Sequence, residues 1–196
     1  MQTTLDTDLI ESVTDSLRSS LADDARRFPG DSHRRQPVHT VYGGAQLFSA
    51  GTTAKLGRLA AAAFDQYAGD PSVLASVLGM PDELAGVVHQ RVREKLVSEP
   101  VEDLRIDFED GYGIRPDDEE DGHAVKAAAE MAKAMADGAL PPFVGIRVKA
   151  LTAEAHRRSI RTLDLFITTL IETAGRLPDN FLITLPKVVL AQQVSV

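Results

Sequence analysis

The sequence predicts an α/β fold with parallel strands. Its second half alternates short strand-like segments with longer helical ones, and that rhythm is typical of strands joined by right-handed helical crossovers. The strand segments are rich in valine, isoleucine, leucine and phenylalanine. The chain has 196 residues, of which 43% are hydrophobic, so it can bury a sizeable core.

The N-terminal segment is predicted to be a helix over residues 8–27. Its apolar residues recur at helical spacing, and Asp8 and Glu11 stand at its start like a capping pair. The polar stretch FPGDSHRRQP follows and is bounded by prolines. We therefore divide the chain into an N-terminal helix with its linker, 1–36, and an α/β region, 37–196. The apolar positions of the helix are Leu9, Ile10, Val13, Leu17 and Leu21.

The α/β region begins with a predicted strand at 38–42, which two glycines end. A helix is predicted over 53–67, and residues 71–98 indicate further helix, broken near Gly79 and Pro81. The residues of helix 53–67 that we expect to face inward are Leu56, Leu59, Ala63 and Phe64.

Three further strands are predicted at 103–109, 143–151 and 181–189, with helices at 118–137 and 153–175 between them. The first of these helices has clear end signals. Asp117 or Asp118 is expected to cap it, and Gly138 to end it before two prolines.

Composition excludes several classes of function. The chain has no cysteine, and its formal net charge is −8, so a disulfide scaffold, a thiolate zinc site and a general nucleic-acid binder are all disfavoured. No apolar run approaches the roughly 20 residues of a membrane span, and the acidic N-terminus does not resemble a signal peptide. These features predict a cytoplasmic protein.

Charged residues collect toward the carboxyl ends of the predicted strands. Asp107 and Glu109 lie on the polar face of the second strand, Arg147 and Lys149 on that of the third, and Lys187 near the end of the fourth. Parallel α/β sheets and barrels keep their chemistry at that end.

A half-solvated sheet would show the same alternation of polar and apolar residues. Two arguments favour a site. Parallel strands joined by helices are normally covered on both faces, and the carboxylates of Asp107 and Glu109 would lie beside Arg147 on the neighbouring strand. Such pairing would hold an arginine ready to receive an anion.

Three short motifs occur in order on three successive strands: DFED at 107–110, RVKA at 147–150 and LPKV at 185–188. Together with PDDEEDGHAVKAAA, which follows the first motif, they resemble the HpcH/HpaI aldolase and citrate lyase β-subunit family over residues 38–196. The resemblance implies a (β/α)8 TIM barrel, of which this chain supplies about four β/α units. It also implies metal-dependent cleavage or formation of carbon–carbon bonds in a 2-oxo acid or an acyl-CoA thioester, through an enolate.

The resemblance also implies roles for individual residues. Arg147 would stabilise the developing negative charge, Glu109 and Asp110 would orient Arg147 and metal-bound water, and Lys187 would neutralise a substrate anion. The cofactor would be Mg²⁺ or Mn²⁺, with its direct ligands beyond Val196, and we expect the full-length enzyme to be a homo-oligomer. Candidate substrate-binding residues are Asp107, Lys149, His39 and Tyr42.

The sequence departs from that family in three ways. The first strand lacks the family's arginine and proline, Lys149 stands where the family has asparagine, and a long insertion separates the first two strands. We therefore do not carry the substrate over from citrate lyase, and we interpret the chain as the N-terminal piece of a longer enzyme. Two alternatives stay open: phosphoryl transfer on phosphoenolpyruvate, and a non-catalytic half-barrel that binds a partner through its open edges.

Other charged groups are interpreted as structural. We read the acidic run at 117–121 as complementing the helix dipole, and Arg157, Arg158 and Arg161 as a solvated face. The five histidines show no metal-binding spacing.

Overall fold

The computed structural model describes residues 4–31 and 33–195, and its contacts divide the chain into two compact units, 1–36 and 37–196. The first unit contains helix α1 (Thr7–Arg27). Asp6 caps it by accepting a hydrogen bond from the Leu9 amide at 2.7 Å, so the predicted cap by Asp8 and Glu11 is wrong. No described residue of α1 is buried.

The second unit contains a parallel four-stranded sheet in the order β1-β2-β3-β4. The predicted α/β class with parallel strands is therefore confirmed. Each strand is four or five residues long and pairs with the next one along the chain. The strands are β1 (Thr40–Gly44), β2 (Asp103–Asp107), β3 (Phe143–Arg147) and β4 (Phe181–Thr184).

Five further α-helices, 8 to 20 residues long, connect the strands. The predicted break near Gly79 is confirmed, since Gly79 adopts φ +61° after one helix and Pro81 precedes the next. Leu59 and Ala63 are exposed, so their predicted inward orientation is wrong. The helices are α2 (Thr52–Ala68), α3 (Pro71–Leu78), α4 (Asp82–Ser98), α5 (Asp117–Ala136) and α6 (His156–Ala174).

One face of the sheet forms the core with α5 and α6. Leu104, Ile106, Val144 and Ile146 point to this side and are almost completely buried. The inward face of α5 is mostly alanine, which lets α6 pack closely against it. Burial of this aliphatic surface is the main stabilising term in the unit. The helical residues of the core include Ala124, Ala128, Met131, Phe166 and Leu170.

The other face of the sheet is polar, and its central residues on β2 and β3 are buried or half-buried. Arg105 donates two hydrogen bonds of 2.8 Å to Asp103 and one of 2.8 Å to Thr184 on β4. To reach Thr184 it crosses β3 at Gly145, its register partner, which has no side chain to obstruct it. Asp103 and Asp107 are each 1% exposed, whereas Tyr42 on β1 is 46% exposed and Leu182 on β4 is 37% exposed. The polar face is therefore buried at its centre and open to solvent along the outer strands.

Helix α5 begins differently from the prediction. Pro116 precedes its first turn and no side chain caps it, so the predicted cap by Asp117 or Asp118 is wrong. Its end is confirmed: Gly138 adopts φ +63°, a left-handed conformation that favours glycine.

Candidate active site at the carboxyl ends of the strands

The Arg147 guanidinium is anchored by Asp107 on the neighbouring strand. The two residues are register partners at the ends of β3 and β2. Arg147 donates to both carboxylate oxygens of Asp107, from Nε at 2.8 Å and from Nη2 at 2.6 Å. This bidentate pair fixes the plane and direction of the guanidinium.

Asp107 is fully engaged within the protein. Besides Arg147, its carboxylate accepts hydrogen bonds from the amides of Glu109 at 2.9 Å and Gly111 at 2.7 Å. Burial by itself would raise the pKa of the Asp107 carboxyl, but these hydrogen bonds together outweigh it and hold the pKa below its ordinary value. The Asp107 hydrogen bond also raises the pKa of Arg147. Asp107 thus orients Arg147 and leaves no oxygen for a substrate.

The remaining edge of Arg147 points to the carboxylates that follow β2. Nη1 lies 3.6 Å from an oxygen of Glu109 and 3.6 Å from one of Asp110, which is longer than a hydrogen bond. The guanidinium carbon stands 4.5 Å above the Tyr42 ring. The side chain of Arg147 is 18% exposed, and Nη1 is the one guanidinium nitrogen that does not bond to Asp107.

Lys187 reaches the same place from the segment after β4. Its Nζ donates to Glu109 Oε1 and, at 3.0 Å, to Asp110 Oδ1. These hydrogen bonds raise the pKa of Lys187, and Lys187 in turn lowers the pKa of Asp110. Lys187 has φ +55°, which is uncommon for a residue with a side chain and typical of functional segments. Arg147, Lys187, Glu109, Asp110 and Tyr42 therefore form one cluster, the strand-end cluster.

Two of the predicted substrate-binding residues lie elsewhere. His39 precedes β1 at the opposite end of the sheet, where its Nε2 accepts a hydrogen bond of 3.3 Å from the Glu102 amide. Lys149 turns away from Arg147 and contacts the carbonyl oxygens of Phe108 and Gly113 and the carboxylate of Glu120. The structure does not bring either side chain to the strand-end cluster.

Sequence reasoning missed a second charged group, at the start of α5 and α6. Glu120 is completely buried, and the Arg158 side chain is only 10% exposed. Arg158 and Arg161 both pair with Asp121, so the predicted solvated face is wrong for Arg158. One signal was available: Glu120 stands four residues before Ala124, on the apolar face of the helix.

The described residues do not themselves assemble a metal site. Among residues 4–31 and 33–195, no three histidine, aspartate or glutamate side chains are grouped so that they could hold an ion. Asp107 is fully engaged by Arg147 and two backbone amides, and Glu109 and Asp110 are already paired with cations. The described residues therefore supply no complete ligand set of their own for a metal ion.

A cleft of about 690 Å³ lies at the other end of the sheet. Residues 96–101, before β2, and 138–142, before β3, line it together with one side of α2. Polar groups of the strand-end cluster do not reach it. We place the candidate site at the carboxyl ends, where anchored charges converge, rather than in this cleft.

Comparison with known proteins gives a family but no activity. The family model described as Domain of unknown function (DUF6986) matches residues 17–196. No curated protein and no solved structure matches the chain. Within the part of the chain that the structure describes, no helix has both the length and the apolar character that a membrane span requires.

Proposed function

The chain belongs to the DUF6986 family, and we propose that its strand-end cluster stabilises an enolate in a carbon–carbon lyase of the aldolase type. The substrate class is a 2-oxo acid or an acyl-CoA thioester. In both, the bond-breaking step places negative charge on a carbonyl oxygen next to the reacting carbon.

One observation carries this proposal: Arg147 is locked by Asp107 and presents a single edge at the end of a parallel strand. A preorganised donor of this kind stabilises charge that develops in the transition state without reorganising. The carbonyl oxygen would accept a hydrogen bond from Nη1 of Arg147. Lys187, already within reach of the same acids, would neutralise the substrate carboxylate or a thioester-side anion.

The architecture supports a (β/α)8 barrel as the complete fold of such an enzyme. The strands are parallel and neighbours in the sheet follow one another in sequence, as in a barrel. In a barrel, side chains from alternate strands share a layer of the interior, and the hydrogen bond from Arg105 on β2 to Thr184 on β4 is consistent with such a layer. In this proposal the polar face of the sheet faces the barrel interior.

A divalent ion, Mg²⁺ or Mn²⁺, belongs to the proposal as a cofactor. The described residues supply no set of direct ligands for this ion. The roles proposed for this chain therefore belong to its own side chains. In the proposal, Arg147 stabilises the developing negative charge and Lys187 neutralises the substrate anion.

Exchange of the methyl protons of pyruvate tests the proposal without knowledge of the natural substrate. Formation of the enolate breaks a C3–H bond, leaves the electron pair in the new C2–C3 double bond and releases the proton to solvent. In D₂O the methyl signal in the ¹H NMR spectrum is then lost as deuterium returns to C3. We expect the protein to accelerate this loss, in parallel reactions with Mg²⁺, with Mn²⁺ and with a chelator. The same assay with acetyl-CoA tests the thioester.

The variant Arg147→Ala should lower the exchange rate by about 100-fold, the usual cost of removing one charge-stabilising donor. Arg176→Ala is the matched control, because Arg176 is an exposed arginine whose partner is Asp179, and it should exchange at the wild-type rate. Equal rates for wild type and Arg147→Ala would remove Arg147 from the mechanism. No acceleration of either substrate by the wild type under any metal condition would contradict the enolate proposal.

A further inference from the structure

Lys149 binds both ends of the loop that carries the two acids of the strand-end cluster. This acidic loop comprises residues 108–113. Lys149 Nζ donates to the Phe108 carbonyl oxygen at 2.7 Å and to the Gly113 carbonyl oxygen at 3.1 Å. One ammonium group thus joins the two ends of the loop, which are five positions apart in the sequence.

A buried carboxylate holds Lys149 in this position. Glu120 is 0% exposed, and its Oε2 forms an ion pair of 3.0 Å with Lys149 Nζ that lacks the angles of a hydrogen bond. Its other oxygen accepts a hydrogen bond of 2.6 Å from Thr162 and lies 3.5 Å from Nε of Arg158. Glu120 therefore ties the loop-closing lysine to the starts of α5 and α6.

Asp107, a buried side chain, also anchors the acidic loop. Asp107 accepts hydrogen bonds from the Glu109 and Gly111 amides on the inner side of the loop. On the outer side, Lys149 Nζ stands 4.9 Å above the Tyr112 ring, and the Tyr112 hydroxyl is 2.8 Å from His123 Nδ1. The loop is thus held from both sides.

We infer that Lys149 is a positioning residue: with Glu120 it closes the acidic loop and keeps Glu109 and Asp110 within reach of Lys187 and Arg147. A buried ion pair is a weak source of stability, because desolvation offsets most of its attraction. The Lys149–Glu120 pair matters here for its geometry, because Lys149 fixes both ends of one short loop. This inference rests on the proposed function only for the catalytic role of Glu109 and Asp110.

The test uses the full chain without substrate, so it is independent of the pyruvate assay. In Lys149→Met, amide hydrogen exchange of Gly111, Tyr112 and Gly113 should accelerate at least tenfold, while the amide of Ile106 in β2 keeps its rate. Those loop amides are hydrogen-bonded to Asp107 or Glu109 in the closed loop. Lys126→Met is the control, because Lys126 is exposed on α5, and it should leave all of these rates unchanged.

The titration of Asp110, followed by carboxyl ¹³C NMR, gives a second readout. The groups that face Asp110 are Lys187, Arg147 and Glu109. Lys187 and Glu109 lower its pKa in the closed loop, so release of the loop in Lys149→Met should return the pKa toward the ordinary value of 3.8. The pKa of Asp70, which Ser72 lowers, should not change.

Because Lys149→Met removes one of the two cations beside the buried Glu120 carboxylate, the double variant Glu120→Gln with Lys149→Met is measured alongside it. We expect the same selective loop opening in both variants. Unchanged exchange at the loop amides would overturn the inference. So would equal acceleration in β2, or loss of folding in both variants, since Lys149 would then be a general structural residue.

Discussion

The pairing of Arg147 with Asp107 follows from simple strand geometry. Both residues end strands of the same length, and parallel register places them side by side. The sequence predicted acids beside Arg147 for this reason. It did not predict that Asp107 would be the bidentate partner and that Glu109 would stand 3.6 Å away, because β2 ends at Asp107 and the alternation of side chains ends with it.

The end of a strand also explains the position of Lys149. Lys149 lies two residues after Arg147, so the alternation of side chains predicted it on the same polar face. Strand β3 ends at Arg147, so the chain beyond is free to turn Lys149 toward Glu120. Alternation is a reliable guide only inside the strand, and strand ends are the least predictable part of an element.

Replacing Asp107 with asparagine should destabilise the protein by about 3 kcal/mol, the usual cost of breaking a buried ion pair. The NH₂ group of asparagine cannot accept the hydrogen bonds that one Asp107 oxygen accepts from Arg147 and a backbone amide, and the remaining counter-charges of Arg147 lie 3.6 Å away. Urea unfolding measures the change. The control Asp65→Asn removes an exposed partner of Arg93 and should cost less than about 1 kcal/mol. Equal effects of the two substitutions would contradict the structural role of Asp107.

The sheet and its two core helices were the most predictable elements. Strands β2 to β4 and helices α5 and α6 all occur where they were predicted, but the predicted strands run two to five residues past the observed strand ends. Which polar residues of α5 and α6 would be buried was less predictable. It depends on how two helices from different parts of the chain pack, and Glu120 acquires its partners only in the folded state.

Gly145 marks the close approach of β3 and β4. A methyl group at this position would overlap the carbonyl oxygen of Leu182, so Gly145→Ala must push the strands apart. We expect a loss of about 3 kcal/mol, at the upper end for overpacking in a core. Gly86→Ala is the matched control, because a methyl group there meets no atom within 4 Å and a helical alanine is favoured over glycine by about 1 kcal/mol. Thermal unfolding should therefore shift in opposite directions for the two variants, and a neutral Gly145→Ala would contradict the observed spacing.

The α/β unit as a whole should lose stability in acid through its paired carboxylates. The pKa of Asp107 is lowered on folding, so the stabilisation that it contributes is fully present above its unfolded value, about 3.9, and is lost as the pH falls through the lower folded value. Asp110 and Asp121 have pKa shifts in the same direction. Urea unfolding free energy measured from pH 7 to pH 2.5 should stay level to about pH 4 and then decline. In Asp107→Asn the decline should be shallower, and an identical slope would show that Asp107 does not contribute to it.

The proposed chemistry depends on one claim, that Arg147 is held in place and binds an anion. Oxalate is a planar dianion that resembles the enolate of pyruvate, and ¹⁵N–¹H NMR can follow its titration at the arginine side chains at constant ionic strength. We predict that the Nε–Hε signal of Arg147 shifts and saturates. The signal of Arg105, which is held on the same face by Asp103 and Thr184, should not shift. An Arg147 signal that stays fixed, or that moves only in parallel with Arg105, would contradict the account.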